Sequence, residues 1–216
     1  MREKQGIGLM KKLVLIGGGG HCKSVIDTVK RLNLYDEVVI TDSGLPADSE
    51  LLGIRVMGGD EMLDELKKTG FHEAFITVGS IGNMEARQAL YHKASELGFV
   101  FPNIIDPSAY VSEYAALEKG IFVGKAAVVN AGAHIGEMAI INTGAIVEHE
   151  SVIGKYSHIA VGAVLCGGVL IGNYSLVGAG ATIIQGVNVG SHSLVGAGST
   201  VLCDVGNDQV VKGVYG

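Results

Sequence analysis

A histidine between two carboxylates is the group in this sequence best suited to proton transfer. His149 occupies the middle of the segment Glu148-His149-Glu150. A neighbouring carboxylate can fix the tautomer of an imidazole and raise its basicity, which is what a general base needs. The same three residues could equally form a solvated turn with no part in catalysis. The segment alone leaves both interpretations open.

Four glycines precede a second histidine near the start of the chain. Gly17, Gly18, Gly19 and Gly20 come directly before His21, between an apolar segment and an amphipathic one. A strand–loop–helix junction of this kind presents backbone N–H groups and a helix N-terminus to an anion, typically a pyrophosphate. The dinucleotide fingerprint G-x-G-x-x-G is incomplete, because its third glycine position holds a cysteine. The loop favours a nucleotide over a dinucleotide, with a tight turn that binds nothing as the alternative.

Two more residues are expected at the same edge of the sheet. Asp42 follows the predicted strand at residues 37–41, and an acidic residue there can accept hydrogen bonds from a ribose or a base edge. Gly79 ends the predicted strand at residues 74–79 and adds open backbone. Because nucleotides bind at the carboxyl ends of parallel strands, we expect both residues to lie near the glycine loop.

The elements that position the glycine loop come from the first half of the chain. Short apolar runs alternate there with amphipathic stretches, which predicts a small parallel α/β sheet. The predicted strands are residues 12–17, 37–41 and 74–79, and the predicted helices are residues 21–32, 60–68 and 83–97. Residues 1–9 are expected to form an unstructured lead-in.

A six-residue repeat dominates the second half. From Ile105 to Val201, all 17 positions at a spacing of six are Ile, Leu or Val. This period is typical of a parallel β-helix, in which three hexapeptides form a coil of about 18 residues. Coils stack at about 4.8 Å, so the repeat predicts a prism of nearly six coils. We therefore expect two domains, residues 10–104 and residues 105–216.

The charge distribution of the repeat predicts self-association. Residues 105–205 hold only 10 of the 38 charged residues, which leaves aliphatic faces with little polar cover. Such faces favour burial between subunits, and a three-sided prism suggests a cyclic homotrimer. His158 follows His149 by nine residues, half of a coil. The two histidines are therefore expected on different sides of the prism, so a site that used both would need a neighbouring subunit.

Composition excludes several classes of partner. The formal charge of −6 argues against a protein that follows nucleic-acid phosphates. The apolar run at residues 13–16 is too short for a signal peptide or a membrane span, and a cytoplasmic setting is expected. No C-x-x-C pair occurs among the three cysteines, which are Cys22, Cys166 and Cys203. They are interpreted as small buried side chains.

Zinc is the remaining alternative for the histidines of the repeat. Three histidines on a hexapeptide prism can bind Zn²⁺ between subunits, as in gamma-class carbonic anhydrases. His134 and His192 are expected at the surface, and no His-x₄-His pair occurs in the repeat. We therefore expect no metal.

Taken together, the motifs resemble the sialic-acid O-acetyltransferase and bacillosamine N-acetyltransferase family, especially its PglD-type and perosamine-type nucleotide-sugar acetyltransferases. The resemblance spans residues 11–214. It is carried by the GGGGH loop, by Ile141-Asn142-Thr143, by the Glu-His-Glu block of residues 147–154 and by Tyr156-Ser157-His158.

This resemblance implies a Rossmann-like domain followed by a left-handed β-helix, assembled as a homotrimer. It implies direct transfer of acetyl from acetyl-CoA, without a metal, to the amino group of a UDP- or GDP-linked 4-amino-4,6-dideoxy sugar. His149 would be the base, and Glu150 would orient it. Substrate contacts would come from Gly19, Gly20 and His21 to the diphosphate, from Asp42, Ser43 and Gly79 to the base and ribose, and from Asn142. Contacts to acetyl-CoA would come from His158 and from the backbone at Gly167, Ala179 and Ala197.

The sequence departs from the family pattern at two places. Asp42-Ser43 stands where many members have Asp-Asp, which bears on the contact to the nucleotide base. The segment Gly213-Val214-Tyr215-Gly216 replaces the usual Gly-Val-Pro-Ala-Lys, which bears on the contacts to the CoA adenine. Besides N-acetylation, the sequence leaves open O-acetylation of a sialic-acid-like sugar, a non-catalytic nucleotide-sugar-binding trimer and a zinc hydrolase.

Overall fold

The structure is a computed structural model that describes residues 10–79 and 84–216. The predicted lead-in at residues 1–9 and the predicted first residue of the third helix, Asn83, lie outside the described residues.

The first half forms a three-stranded parallel sheet with helices packed against it. Its elements are β1 (Lys12–Ile16), α1 (Gly20–Leu32), β2 (Glu37–Thr41), β3 (Glu50–Leu51), β4 (Ile54–Arg55), a 3₁₀ turn (Asp60–Met62), α2 (Leu63–Lys68), β5 (Glu73–Ile76) and α3 (Met84–Glu96). The sheet order is β2-β1-β5, and β3 and β4 form a short hairpin. The central strand is apolar and buried from Leu13 to Ile16 because both of its faces are covered.

Two predicted strands end earlier than expected, at Ile16 and at Ile76, and the first of them ends where the glycine loop begins. Gly17 leaves β1 with φ of 110°, a conformation that favours glycine. A Cβ at this position would lie 2.6 Å from Cγ2 of Val78. Thr77 follows β5 and donates its hydroxyl hydrogen to the carbonyl of Gly17. The ends of β1 and β5 therefore hold the loop from both sides.

The second half is a parallel β-helix made of three sheets. Between residues 104 and 215, nineteen two-residue strands lie on the three faces of a prism. Face 1 holds Tyr110–Val111, Val128–Val129, Ile146–Val147, Val164–Leu165, Thr182–Ile183, Thr200–Val201 and Val214–Tyr215. Face 2 holds Ala116–Leu117, His134–Ile135, Val152–Ile153, Leu170–Ile171 and Asn188–Val189. Face 3 holds Ile104–Ile105, Phe122–Val123, Ile140–Ile141, His158–Ile159, Leu176–Val177, Leu194–Val195 and Val210–Val211.

The six-residue repeat predicts the core of this prism correctly. Each repeated aliphatic residue is the second residue of a strand, and from Val123 to Val201 each is at most 2% exposed. After Val201 the coils become shorter than 18 residues, because Leu194 pairs with Val210 and Thr200 pairs with Val214. The repeat therefore did not predict the last two strands. The prediction of buried cysteines is confirmed for Cys22, whereas Cys166 is only half-buried. It is wrong for Cys203, which is exposed because it lies at a bend after the last full hexapeptide.

The α/β region packs directly on face 3. The outward side chains of Ile104, Phe122 and Ile140 are buried in one cluster with residues of β1 and α1. Next to this cluster, Thr28 and Arg31 of α1 hydrogen-bond to the buried carboxylate of Asp106 in the first coil. This contact places the glycine loop, at the start of α1, beside face 3.

Candidate active site

A pocket of about 350 Å³ opens where the glycine loop meets face 3. The α/β region contributes the start of α1 and Gly79 after β5, and the prism contributes face 3 and the turn after it. Its lining residues are Gly20, His21, Ser24, Gly79, Ile140, Asn142, Thr143, His158 and Val161. Five predicted site residues from distant parts of the chain thus line one pocket.

The glycine loop offers free space to a ligand at two of its positions. A Cβ on Gly19 or Gly20 would meet no atom within 4 Å, so the backbone there is accessible. The Gly18 N–H donates to Oδ2 of Asp42 at 2.6 Å, and the Gly44 N–H donates to Oδ1 at 2.8 Å. One carboxylate oxygen of Asp42 therefore holds the glycine loop, and the other holds the turn that follows β2.

Asp42 and Ser43 do not line the same pocket as His21. They line a separate cavity of about 90 Å³ on the other side of the glycine loop, together with Asp60 of the 3₁₀ turn. The Asp60 carboxylate accepts a hydrogen bond from Lys93 of α3, which lowers the pKa of that carboxyl. Six of the seven predicted substrate residues are thus divided between two cavities, and Gly19 lines neither of them.

The His21 ring is packed into the base of the larger pocket. It meets Phe122 edge to face, with ring centroids 5.1 Å apart, and among the described residues nothing hydrogen-bonds to its buried Nε2. Burial lowers the pKa of His21 to about 3, with further lowering by the charges of Arg87 and His158. His21 is therefore neutral at neutral pH.

His158 is held in one tautomer by Asn142. The Asn142 side-chain oxygen accepts the N–H of Thr143 at 2.8 Å, which turns its NH₂ group toward the histidine. Nδ2 of Asn142 then donates to Nε2 of His158 at 3.0 Å, so the neutral ring carries its proton on Nδ1. Burial, followed by the charge of Arg87, lowers the pKa of His158 to about 4.

His149 lies outside this pocket, at the turn between face 1 and face 2. Its Nδ1 is 3.8 Å from Oε2 of Glu150, and its backbone N–H donates to Glu148. The ring lies over Gly167 of the next coil, where a Cβ would come within 2.5 Å of Cε1 and Nε2. His158 is on face 3, so the two histidines occupy different sides of the prism in one chain.

The chain is similar to one protein family and to solved structures of two of its relatives. The family model for the PglD N-terminal domain matches residues 12–94. PerB from Caulobacter crescentus, solved in complex with CoA and GDP-perosamine, is 37% identical, with 96% of this chain and 95% of that chain covered and a TM-score of 0.86. The acetyltransferase domain of PglB from Neisseria gonorrhoeae FA1090, in complex with acetyl coenzyme A, is 35% identical over 94% and 97%, with a TM-score of 0.88.

This chain belongs to the PglD-type family of nucleotide-sugar acetyltransferases. Its architecture is accordingly a Rossmann-like domain followed by a left-handed β-helix. WeeI from Acinetobacter baumannii AYE, at 18% identity and a TM-score of 0.63, shares the fold.

In this PglD-type acetyltransferase, the three backbone positions predicted to contact CoA are not on one edge of the prism. Ala179 and Ala197 are exposed on the edge between face 3 and face 1. They follow Val161, which lines the pocket, at spacings of one and two coils. We call this edge the Asn142 edge. Gly167 is buried beneath His149 on the edge between face 1 and face 2, which we call the His149 edge.

Four residues of the pocket of this PglD-type protein were not predicted from the sequence: Ser24, Ile140, Thr143 and Val161. The period of the α-helix and the 18-residue period of the coil could have revealed three of these residues. Ser24 lies four residues after Gly20, on the same face of α1. Thr143 and Val161 precede Ala179 at spacings of 18 residues, one coil each. Ile140 carries no polar signal that marks it as a site residue.

Two structural findings concern metals and membranes. Within residues 10–79 and 84–216, no three His, Cys, Asp or Glu side chains come together as a metal site. His134 contacts Glu118, and His192 stacks on Tyr174 with centroids 4.9 Å apart. Over the same described ranges, every helix is too short or too polar to span a membrane.

Proposed function

We propose that this enzyme transfers acetyl from acetyl-CoA to the amino group of a nucleotide-linked 4-amino-4,6-dideoxy sugar, with uridine or guanosine as the nucleoside. The observation that carries the proposal is the pocket in which the glycine loop and the β-helix supply facing walls. The likeness to PerB, solved with CoA and GDP-perosamine, supports it. In this proposal residues 10–104 bind the nucleotide sugar, and residues 105–216 bind acetyl-CoA and carry the catalytic base.

The sugar nucleotide would bind along the glycine loop. The open backbone at Gly19 and Gly20, at the N-terminus of α1, would donate N–H groups to the diphosphate beside His21. The base and ribose would extend past Gly79 toward the cavity lined by Asp42 and Ser43. The amino sugar would then point toward Asn142 on the β-helix wall.

Acetyl-CoA would bind along the Asn142 edge. His158 has its proton on Nδ1 and its Nε2 engaged by Asn142, so it is a neutral polar group at the mouth of this edge. The small exposed residues Ala179 and Ala197 leave the backbone accessible to the pantetheine arm. Gly167 would serve a different purpose, as the surface on which the His149 ring rests.

A homotrimer would bring His149 to the pocket. Face 1 separates the His149 edge from the Asn142 edge. Its outward side chains are uncharged: Tyr110, Val128, Ile146, Val164, Thr182, Thr200 and Val214. Packing three copies of face 1 around a three-fold axis would place the His149 edge of one subunit against the Asn142 edge of the next. Each site would then combine the pocket of one chain with the base of its neighbour.

Acetyl transfer in this site needs one proton carrier and no covalent acyl-enzyme. The amine nitrogen attacks the thioester carbonyl carbon, so that a C–N bond forms and the C–S bond breaks. Nε2 of His149 takes a proton from the attacking nitrogen and returns it to the departing CoA thiolate. Glu150, 3.8 Å from Nδ1, stabilises the imidazolium that forms between these steps. A backbone N–H would donate to the oxyanion.

A thiol-release assay tests this proposal. Acetyl-CoA is offered with UDP- and GDP-linked 4-amino-4,6-dideoxy sugars, and His149→Ala is measured beside the wild type. We expect turnover on an amino sugar and a loss of roughly 10²–10⁴-fold in the variant, the range for removal of a general base. His192→Ala is the matched control, because His192 is exposed and stacks on Tyr174 away from the pocket.

The outcomes separate the alternative functions. Thiol release only with a sialic-acid-like hydroxyl acceptor would replace N-acetylation by O-acetylation. Binding of a nucleotide sugar without thiol release from any acceptor would indicate a binding protein. Equal activity of the His149→Ala and His192→Ala variants would show that His149 is not the base.

A further inference from the structure

A buried guanidinium joins the two walls of the pocket without lining it. Arg87 on α3 is 1% exposed. Its Nη1 donates to the carbonyl of Val78 at 2.7 Å, and its Nη2 donates to the carbonyl of Met138 at 2.8 Å. Val78 precedes Gly79 on the α/β wall, and Met138 lies two residues before Ile140 on the β-helix wall. One side chain therefore ties both walls together.

In the part of the chain that the structure describes, the acceptors of the Arg87 guanidinium are neutral backbone carbonyls. Among the described residues no carboxylate forms an ion pair with it, and its buried Nε has no hydrogen-bond partner. Burial lowers the pKa of Arg87 to about 10, while Tyr156 acts to raise it, so the group remains charged at neutral pH. A buried cation without an anionic partner costs folding free energy, so stability alone does not account for its presence.

Both histidines of the pocket are affected by this charge. After burial, Arg87 makes the next contribution to the lowered pKa of His21 and of His158. His158 itself also lowers the pKa of His21. On the β-helix side, Tyr156 acts to raise the pKa of the guanidinium. The rings and the guanidinium therefore form one electrostatic unit that spans the two walls.

We propose that Arg87 is a positioning residue, which holds the His21 wall and the His158 wall at their working separation and places a buried positive charge between the two walls. The inference rests on the proposed function, because acetyl transfer requires substrates bound on both walls at once. Arg87 does not line the pocket, so it acts through the histidines and the backbone. Its charge would also favour the arrival of an anionic diphosphate at the glycine loop.

Three variants test this role. Arg87→Met removes the charge and both hydrogen bonds, and Arg87→Lys keeps the charge but cannot form the two-pronged contact. Arg31→Met is the matched control, because Arg31 also ties α1 to the β-helix, through Asp106, but lies outside the pocket. Each protein is examined by the thiol-release assay and by NMR titration of its histidine side chains.

Arg87→Met is expected to lower kcat/KM on the order of 10²-fold, the effect of misplacing bound groups, and to raise the pKa of His21 and His158. Arg87→Lys is expected to lower kcat/KM to a smaller extent and to leave both pKa values low. Arg31→Met is expected to change neither quantity, although it lowers the melting temperature. The pKa values and kcat/KM thus distinguish a positioning role from a purely structural one.

Two results would overturn the proposal. One is Arg87→Met with the same histidine pKa values as Arg31→Met. The other is Arg87→Lys with the kcat/KM of the wild type, which also decides the case if Arg87→Met does not fold. A wild type that releases no thiol with any acceptor would instead contradict the proposed function, and the histidine titration would still decide the role of Arg87.

Discussion

The two histidines of the proposed site lie in opposite surroundings. His158 is 8% exposed, is held in one tautomer by Asn142 and has its pKa lowered to about 4 mainly by burial. The side chain of His149 is 55% exposed, and its supports are Glu150 at 3.8 Å and the backbone of Gly167 beneath the ring. The region around His158 is therefore preorganised within one chain, whereas the region around His149 becomes enclosed only if a second subunit covers it.

This difference fits two separate roles, one for a group that orients substrates and one for a base. A neutral, buried histidine suits a group that orients substrates, because it does not change charge near neutral pH. An exposed histidine with a carboxylate nearby suits a base, which must gain and lose a proton in each cycle. Variants at the supports of each histidine and of the glycine loop test this contrast.

Gly167→Ala is expected to have the largest effect, because it acts on the less supported histidine. The new methyl group would occupy the space of the His149 ring, with Cε1 and Nε2 only 2.5 Å away. Displacing a base by about 1 Å can cost on the order of 10²-fold in rate, so kcat should fall by that factor. Steady-state thiol release measures it.

Cys166→Ala is the neighbouring control for this prediction, and it should retain wild-type kcat. A Gly167→Ala variant with unchanged kcat would show that the His149 ring has no fixed working position on Gly167.

Gly20→Ala is expected to have an intermediate effect, confined to substrate binding. A Cβ there meets no protein atom within 4 Å but projects into the space proposed for the diphosphate. We expect KM for the nucleotide sugar to rise roughly tenfold, the cost of about one lost hydrogen bond to a charged group, with an unchanged melting temperature.

Gly17→Ala, in the same loop as Gly20→Ala, is expected to affect stability rather than substrate binding. Gly17 has φ of 110°, and a Cβ would lie 2.6 Å from Val78, so this variant should lose on the order of 1–3 kcal/mol of stability. Thermal unfolding measures both variants. An equal loss of stability in the two would contradict the assignment of Gly20 to ligand binding.

A smaller effect is expected from pH. The pKa values of His21 and His158 lie at about 3 and about 4 in the folded protein, below the ordinary value of 6.5. Between pH 6.5 and pH 4 the unfolded chain therefore binds more protons, so stability falls as the pH is lowered through this window. The His158→Asn variant should show a shallower fall in melting temperature between pH 6.5 and pH 5 than the wild type. Parallel curves would show that His158 is not held neutral by its surroundings.

Much of the fold could be predicted because its signals are local or periodic. The hexapeptide spacing predicts 17 strands and their buried residues, and apolar runs predict the three strands of the α/β sheet. The glycine loop was predicted from residues adjacent in sequence. The shortened final coils break the period, which is why the strands Val210–Val211 and Val214–Tyr215 were not predicted.

The contacts that organise the site depend on distances that no local pattern encodes. Arg87 meets Met138, which is 51 residues away in the chain, only because α3 packs on the β-helix. The support of His149 by Gly167 requires the stacking of coils 18 residues apart, and glycines are too frequent in the repeat for one to stand out. The separation of Asp42 from the pocket follows from its bonds to Gly18 and Gly44, which a sequence motif does not show.

If the pocket of one chain works with His149 of its neighbour, subunits that carry different inactivating substitutions should restore activity when they are mixed. His149→Ala and an Asn142→Ala, His158→Ala double variant are each inactive or nearly so in this account. When they are unfolded and refolded together in equal amounts, one interface in four combines an intact pocket with an intact His149, so about a quarter of wild-type thiol release should return. No recovery in mixed trimers would contradict a shared site and place the reaction within a single chain.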